Sequence, residues 1–361
     1  MLMRSIIVLG LCSSALFGMN PKLAQLEICG DLRKKYVSET IVNKPTISVC
    51  HFCDKDILAA NFIIYEDHKK DMRVMTNKNP YFDFEQGDHL LFMTISHEEN
   101  PANLSREQLI HQTDAVQQFS ADLYEDAYTQ EYFTNWGKIA GQSVPHWHSQ
   151  FKNYVKPPQS LPEQMKARQN YTIKNGKEAY EVLKNLLYSK KNIQTSSGTV
   201  IPCDTTECTC CSVKDTPVKD NDNFVIERFD YNYVCLSHHP STAGEISVVP
   251  NQHVSAIKDL SPDVLRENMI LATALLPIMQ KYAQENIREC GGGNLYTKSM
   301  GGKASIDVKA KYHVHTVVIP RTTIQPTPGT IDGNSAKLDV DPIELANYLK
   351  KHVDELKDKL I

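Results

Sequence analysis

One order of motifs occurs twice in this chain, and nothing else in the sequence constrains the fold as much. The first occurrence opens with Cys50-His51-Phe52-Cys53 and continues through the strand-like runs NFIIYED and MRVMTN. It then reaches HLLFMTISHEENPANLS, which carries His97 just ahead of a helix start. The second opens with Cys208-Thr209-Cys210-Cys211 and runs through NFVIERFD and YNYVCLS. It reaches GEISVVPNQHVSAIKDLS, with His253 in the matching place. A long helix follows each time, then a returning strand (EYFTN, GNLYTKS), then a histidine strand: PHWHSQ at 145–150 and YHVHTVVIPR at 312–321. Agreement of so many features in one order points to a duplicated α+β unit.

The two helices carry their own start signals. Ser105 stands as N-cap with Gln108 three residues on, the pattern of a capping box, and Leu109, Val116, Phe119 and Leu123 fall on roughly one face. Ser261 is followed by Pro262 at the first helical position, with Leu265, Met269, Leu276, Met279 and Tyr282 as the apolar stripe. The chain therefore divides into a first unit over 46–155, a linker over 156–206 with one amphipathic helix near 177–190, a second unit over 207–325, and a tail over 326–361. In the tail, Asp341-Pro342 reads as N-cap and first helical residue. Leu345, Leu349, Val353, Leu356 and Leu360 line one stripe of the closing helix.

Length and charge narrow the function classes. A chain of 361 residues holds two ordinary domains, and a net charge of −4 argues against a nucleic-acid polymer as partner. Residues 1–18, with Arg4 ahead of the apolar run Ser5 to Phe17, resemble a signal peptide; that run is too short for a stable membrane span. The expectation is export, with a cytoplasmic protein as the alternative if that segment is an ordinary strand or helix. Export would favour disulfides, yet a C-x-x-C pair with histidines downstream is half of a zinc site. The first unit offers Cys50, Cys53, His97 and His146, and the second offers Cys208, Cys211, His253 and His313. A fitting quartet in both units favours two structural zinc sites over disulfides. In the second unit Cys210 can replace Cys208, and Cys203 can belong to the cluster. His89, His238 and His239 read as solvent-facing loop residues.

The stretch 132–150, YFTNWGKIAGQSVPHWHSQ, concentrates the chemistry. On a β-strand, alternate side chains share a face, so His146, His148 and Gln150 form one row. The Gly137–Ser143 run leading into it can bring backbone N–H groups close to an anion. Imidazole, amide and a phosphate-sized cradle on one strand suggest chemistry on a phosphate.

The pattern Phe133-x-Asn135-x-Gly137-x-x-x-Gly141-x-Ser143-x-Pro145-His146-x-His148-x-Gln150 resembles the galactose-1-phosphate uridylyltransferase branch of the histidine-triad superfamily. The resemblance covers 45–155 strongly and 205–325 more loosely. It implies an α+β fold of two tandem histidine-triad-like units, each an antiparallel sheet with a long helix, forming an intramolecular pseudo-dimer. It implies that His146 is a metal ligand and that neutral His148 attacks the α-phosphorus of a nucleotide sugar or dinucleotide. A nucleotidyl-histidine forms and is passed to a second acceptor. Gln150 would donate to a non-bridging oxygen, and Asn135, Gly141, Ser143 and His315 would bind substrate. Gln at position 150, where hydrolytic relatives carry a third histidine, points to a transferase or phosphorylase. In the second unit, His313-Val314-His315-Thr316-Val317 lacks that glutamine, so one competent site is expected. The alternatives are a nucleotide hydrolase and a non-catalytic nucleotide- or zinc-binding exported protein; a homodimer is a further partner expectation whichever function holds.

Overall fold

The structure is a computed structural model and describes residues 50–54, 58, 63–77, 87–138, 140–155, 192–194, 200–202, 210, 225–237, 245–286, 291–305, 308–309, 312–321 and 342–360. The signal-like segment, the linker helix, Cys203, Cys208, Cys211, His238 and His239 lie outside these residues.

Ten strands join in one sheet. In the first half β1 (Ile63–Asp67), β2 (Met72–Thr76) and β3 (Gly87–Thr94) precede α1 (Arg106–Asp122), then β4 (Thr129–Trp136) and β5 (His148–Tyr154) follow. A short hairpin of β6 (Asn192–Gln194) and β7 (Val200–Pro202) forms a sheet of its own. In the second half β8 (Val225–Arg228), β9 (Asn232–Leu236) and β10 (Ile246–Pro250) precede α2 (Pro262–Asn286), then β11 (Gly292–Met300) and β12 (Thr316–Arg321) follow. The chain closes with α3 (Pro342–Lys351) and α4 (Val353–Asp358). The expected single closing helix is thus broken at His352. Its stripe is as expected, with Leu345, Leu349, Val353 and Leu356 buried and Leu360 packed against them.

Strand order across the sheet is β1-β2-β3-β5-β4-β11-β12-β10-β9-β8. Read inward from either edge, it is first, second, third, fifth, fourth. The halves meet at β4 and β11, which pair antiparallel over their whole length, with Phe133 opposite Tyr296 at the centre. The register is the same on both sides of that seam. Thr134 pairs with Ser149 and Thr297 with Thr316. The two halves share one continuous sheet. The end of β4 approaches β11 closely. Gly137 has φ 82, and a Cβ there would lie 1.9 Å from the Gly291 carbonyl oxygen, so only glycine fits.

The helices explain which sheet face is buried by core. Ser105 accepts from the Gln108 backbone N–H while its own N–H donates to the Gln108 side chain, as the capping-box spacing predicts. Ser261 Oγ accepts from the Val264 N–H at the start of α2. The face of α1 with Leu109, Val116 and Phe119, and the much more buried α2, cover the face of the sheet that carries Ser149, Phe151 and Thr134. Burying each such aliphatic or aromatic side chain contributes about 1.5–3 kcal/mol. By alternation, His148, Gln150 and Lys152 project from the opposite face. Among the described residues, no helix is long and apolar enough to cross a membrane.

A polar relay lies between helix and sheet in both halves. In the first, Gln112 Nε2 donates to Ser149 Oγ at 2.8 Å, and Ser149 Oγ lies 2.7 Å from Thr134 Oγ1. In the second, Thr316 Oγ1 donates to Asn268 Oδ1 at 2.5 Å and lies 2.7 Å from Thr297 Oγ1. Each relay is buried and joins the second turn of its helix to its fourth and fifth strands.

Candidate active site

The site is built on the start of β5 and the loop before it. The C-x-x-C segment turns back on itself, with the N–H groups of Cys53 and Asp54 both donating to the Cys50 carbonyl at 3.0 Å. Arg73 on β2 fixes this turn: its Nη1 donates to the Phe52 carbonyl at 3.1 Å, and its Nε donates to Glu66 at 2.8 Å. Phe52 in turn packs edge-on against His146 and His148, with ring centres 5.8 and 5.1 Å away.

Cys50, Cys53, His97 and His146 form a cluster that could hold a metal ion, their ligand atoms all within 4.8 Å of one another. The fit is quantitative. Zinc bonds of about 2.3 Å to sulfur and about 2.0 Å to nitrogen at tetrahedral angles set an S···N edge of about 3.5 Å. The observed separations are 3.5 Å for Cys50 Sγ to His146 Nδ1, 3.4 Å for Cys53 Sγ to His97 Nδ1, and 3.6 Å for Cys53 Sγ to His146 Nδ1. Both imidazoles present Nδ1 because Nε2 is engaged elsewhere. His146 Nε2–H donates to the Thr94 carbonyl at 2.9 Å, and His97 Nε2 lies 3.2 Å from a Glu99 carboxylate oxygen. Such outer contacts fix the tautomer of a ligating histidine. Burial, more than any neighbouring charge, lowers His146 to a pKa of about 4, so its ring is neutral at pH 7. Burial first, then Cys50, raises the Cys53 thiol to about 11 in the metal-free state. A cation there would favour its thiolate. Cys50, Cys53, Cys210 and Cys235 carry no disulfide.

The second half keeps part of this arrangement. His313 Nε2 lies 2.9 Å from the Pro250 carbonyl, the counterpart of the contact between His146 and Thr94. The rings of His253 and His313 stand edge to face with centres 4.9 Å apart, against 5.2 Å for His97 and His146.

His148 is 3 % exposed and Gln150 is 7 % exposed. His148 Nδ1–H donates to the carbonyl of His146 at 2.7 Å, which leaves Nε2 with the lone pair. Burial lowers the proton affinity of this ring below the ordinary histidine value, against the smaller opposing effect of that backbone bond. The strand around it is clamped by one helix residue. Trp147 Nε1 donates to Gln112 Oε1 at 3.1 Å, while Gln112 Nε2 donates to Ser149, so both neighbours of His148 are tied to α1. His315 repeats the anchored ring, its Nδ1 lying 2.8 Å from the His313 carbonyl.

Asn135 lies on β4 opposite Asn294 of β11. Asn294 Nδ2 donates to Asn135 Oδ1 at 2.6 Å, and Arg321 Nε donates to Asn294 Oδ1 at 2.5 Å. The Asn135 amide nitrogen is buried without a hydrogen-bond partner, an orphan donor of the kind that a ligand oxygen satisfies. Asn294 and Arg321 were not legible as site residues, because their role depends on the seam between the halves.

Two expectations change. Among the described residues of the Gly137–Ser143 loop, four N–H groups are spent inside it and not offered to an anion. The N–H of Gly137 donates to Gln142 Oε1, those of Ala140 and Gln142 donate to the Gly137 carbonyl, and that of Gly141 donates to the Lys138 carbonyl. Gly141, at φ 87, serves the turn itself. Ser143 is exposed at the end of that turn. His89 is not a solvent-facing loop residue. It sits in β3, is 5 % exposed, and lies 2.9 Å through Nε2 from Gln150 Oε1. The signal was its place in an alternating strand, Gly87 to Thr94, with its side chain on the face of Leu91 and Met93.

No family model and no curated protein sequence matches this chain. Solved structures do. A GalT-like protein from Arabidopsis thaliana superposes with a TM-score of 0.55 at 16 % identity, covering 84 % of this chain and 92 % of that one. A mutant uridylyltransferase covers 94 % of this chain and 98 % of its own, with TM-score 0.56 and 14 % identity. An ADP-glucose phosphorylase from Arabidopsis thaliana, solved with ADP-glucose bound, covers 87 % and 93 %, with TM-score 0.56 and 15 % identity. The chain has the fold of these proteins, the α+β fold with a large antiparallel sheet that the sequence resemblance implies.

Proposed function

We propose that this chain is a nucleotidyltransferase or phosphorylase that works through a covalent nucleotidyl-histidine at His148. The observation that carries the reading is the state of the His148 ring. Nδ1–H is given to the His146 carbonyl and burial keeps the ring neutral, so Nε2 holds a lone pair. Nε2 attacks the α-phosphorus of a nucleotide sugar or dinucleotide, and the bond to the bridging oxygen breaks. The leaving group departs with that electron pair as a phosphorylated sugar or, from a dinucleotide, as the other nucleotide. A phosphate oxygen of the second substrate then attacks the same phosphorus, the P–N bond breaks, and neutral His148 is regenerated. Gln150 stabilises charge on a non-bridging oxygen. The orphan amide of Asn135 offers a donor to the same substrate, with Ser143 at the loop end and His315 across the seam as further contacts. A uridylyltransferase and a phosphorylase with this fold support the reaction class.

Zinc is the metal that the donor set favours, two thiolates and two imidazoles at tetrahedral spacing. Held by Cys50, Cys53, His97 and His146, it would pin the C-x-x-C turn to the base of β5. We infer a second site at His253 and His313 with the cysteines at 208 and 211. We further infer that 46–155 and 207–325 are tandem copies standing as a pseudo-dimer, with one competent site. The mirrored strand order, register and polar relays support this.

The test is to incubate zinc-loaded protein with nucleotide sugars and dinucleoside polyphosphates, then look by mass spectrometry for an acid-labile adduct. We expect an adduct on His148, its loss in His148→Ala, and transfer to phosphate or a sugar phosphate. No adduct from any donor, on folded protein, would overturn the enzymatic reading. Release only to water would make it a hydrolase.

A further inference from the structure

We propose that His89 is a positioning residue that decides which end of the Gln150 amide faces the substrate. This rests on the reading of Gln150 as a donor to a phosphate oxygen. A phosphate oxygen only accepts hydrogen bonds, so Gln150 serves it only with its NH2 end outward. The two ends of a carboxamide have nearly the same shape, and packing alone does not choose between them. A partner that is itself a donor or an acceptor does.

That partner is His89. Its Nε2 lies 2.9 Å from Gln150 Oε1, and both side chains are buried. Asn77, just beyond β2, lies beside the ring within reach of both its nitrogens. Its Nδ2 is 3.4 Å from His89 Nδ1 and 3.2 Å from Nε2, and its backbone N–H donates to the His89 carbonyl at 2.8 Å. Two arrangements are self-consistent. In one, Asn77 donates to Nδ1, His89 Nε2–H donates to Gln150 Oε1, and the Gln150 NH2 is released toward the substrate. In the other, Nδ1 carries the proton, Nε2 accepts, and Gln150 turns its NH2 inward and its carbonyl outward. A carbonyl facing a phosphate oxygen sets two acceptors against each other. The first arrangement therefore belongs to the working enzyme, and His89 holds Gln150 as a donor at every moment of the cycle. Phe133, opposite Gln150 across the ladder and 6.4 Å from the His89 ring centre, closes the other side.

The test has two arms. In full-length, zinc-loaded protein with ¹⁵N-labelled histidine, the ring nitrogen shifts of His89, identified by their loss in His89→Gln, report its tautomer without any substrate. A proton on Nε2 is expected, and a proton on Nδ1 would overturn the proposal. In the second arm, the single-turnover rate of adduct formation is measured against donor concentration. His89→Leu should slow the maximal rate roughly tenfold, the scale of one neutral hydrogen bond, with half-saturation unchanged. His89→Gln, which keeps an N–H donor at similar reach, should recover most of the rate. In a Gln150→Ala background the His89→Leu change should do nothing further, and an additive loss there would overturn the proposal. If the wild-type protein forms no adduct, the functional reading fails while the tautomer still decides the role of His89.

Discussion

Two histidines two residues apart present different nitrogens because opposite ends of their rings are tied down. In His146 Nε2–H is spent on the Thr94 carbonyl and Nδ1 faces the cysteines; in His148 Nδ1–H is spent on the His146 carbonyl and Nε2 is left. Alternation was legible for His148 and Gln150, but the strand begins at His148 and His146 stands in the bend before it, so the expected row of three is cut to two. The nitrogen each ring presents was not legible, since that depends on carbonyls brought in by folding. The pH dependence follows in sign. Burial lowers the His148 proton affinity, so the neutral ring persists below the ordinary histidine value of 6.5. Adduct formation in rapid-quench measurements should therefore be flat near pH 7 and fall only on an acid limb below pH 6.5. A limb centred above that value would contradict the assignment. Stability has the same sign: the unfolded chain takes up the proton first, so this contribution is full above the ordinary range and lost as pH falls below it. At the metal cluster, Glu99 is the outer partner of His97. Glu99→Gln should weaken zinc binding roughly ten- to hundredfold in competition with a chromophoric chelator, and an unchanged affinity would remove Glu99 from the site.

At the scale of elements, the order of motifs carried most of the information. Capping boxes, apolar stripes and turn residues act locally, so Ser105, Ser261 and the stripe of the closing helix could be read from spacing alone. The buried relays could not. Gln112 and Thr134 sit at interior positions, and a polar residue there looks like a surface residue until its partner, distant in sequence, is known. Gln112 holds both Trp147 and Ser149, so Gln112→Leu should leave the Trp147 N–H unpaired. Each orphaned buried group costs about 1–3 kcal/mol. A loss of that size should appear in urea denaturation, together with slower adduct formation because β5 is released around His148. Normal stability would mean that the clamp is dispensable. The loop between Gly137 and Ser143 shows the reverse error. Its glycines suggested a cradle for an anion, but the N–H groups of Gly137, Ala140, Gly141 and Gln142 are all spent within the loop, which no residue count reveals.

At the scale of the molecule, one sheet and a shared core join the two halves. Leu104, Leu109 and Trp147 of the first half belong to the same cluster as Ile270, Leu276 and the buried face of the closing helices. The far end of the chain reaches the first half as well, where Arg106 Nε donates to the Leu360 carbonyl and Lys359 Nζ donates to that of Ala102. Ending the chain at residue 341 would strip Leu345, Leu349, Val353 and Leu356 from that cluster. At about 1.5–3 kcal/mol for each, the loss is comparable to the roughly 5–15 kcal/mol that holds a whole domain together. The truncated chain should fail to accumulate as soluble folded protein, and a truncation with an unchanged melting temperature would show the closing helices to be peripheral.

The carbonyl of His146 receives both the His148 ring and, at 3.2 Å, the Gln142 amide. One peptide unit is thus a crossroads. Its side chain looks toward the cysteines, its oxygen toward the His148 ring and the loop. Anything that disturbs the cysteines, such as an oxidant or a thiol-seeking heavy metal, would be felt at the His148 ring without touching it. Poisoning of such a protein would resemble a slow loss of aim before any loss of shape.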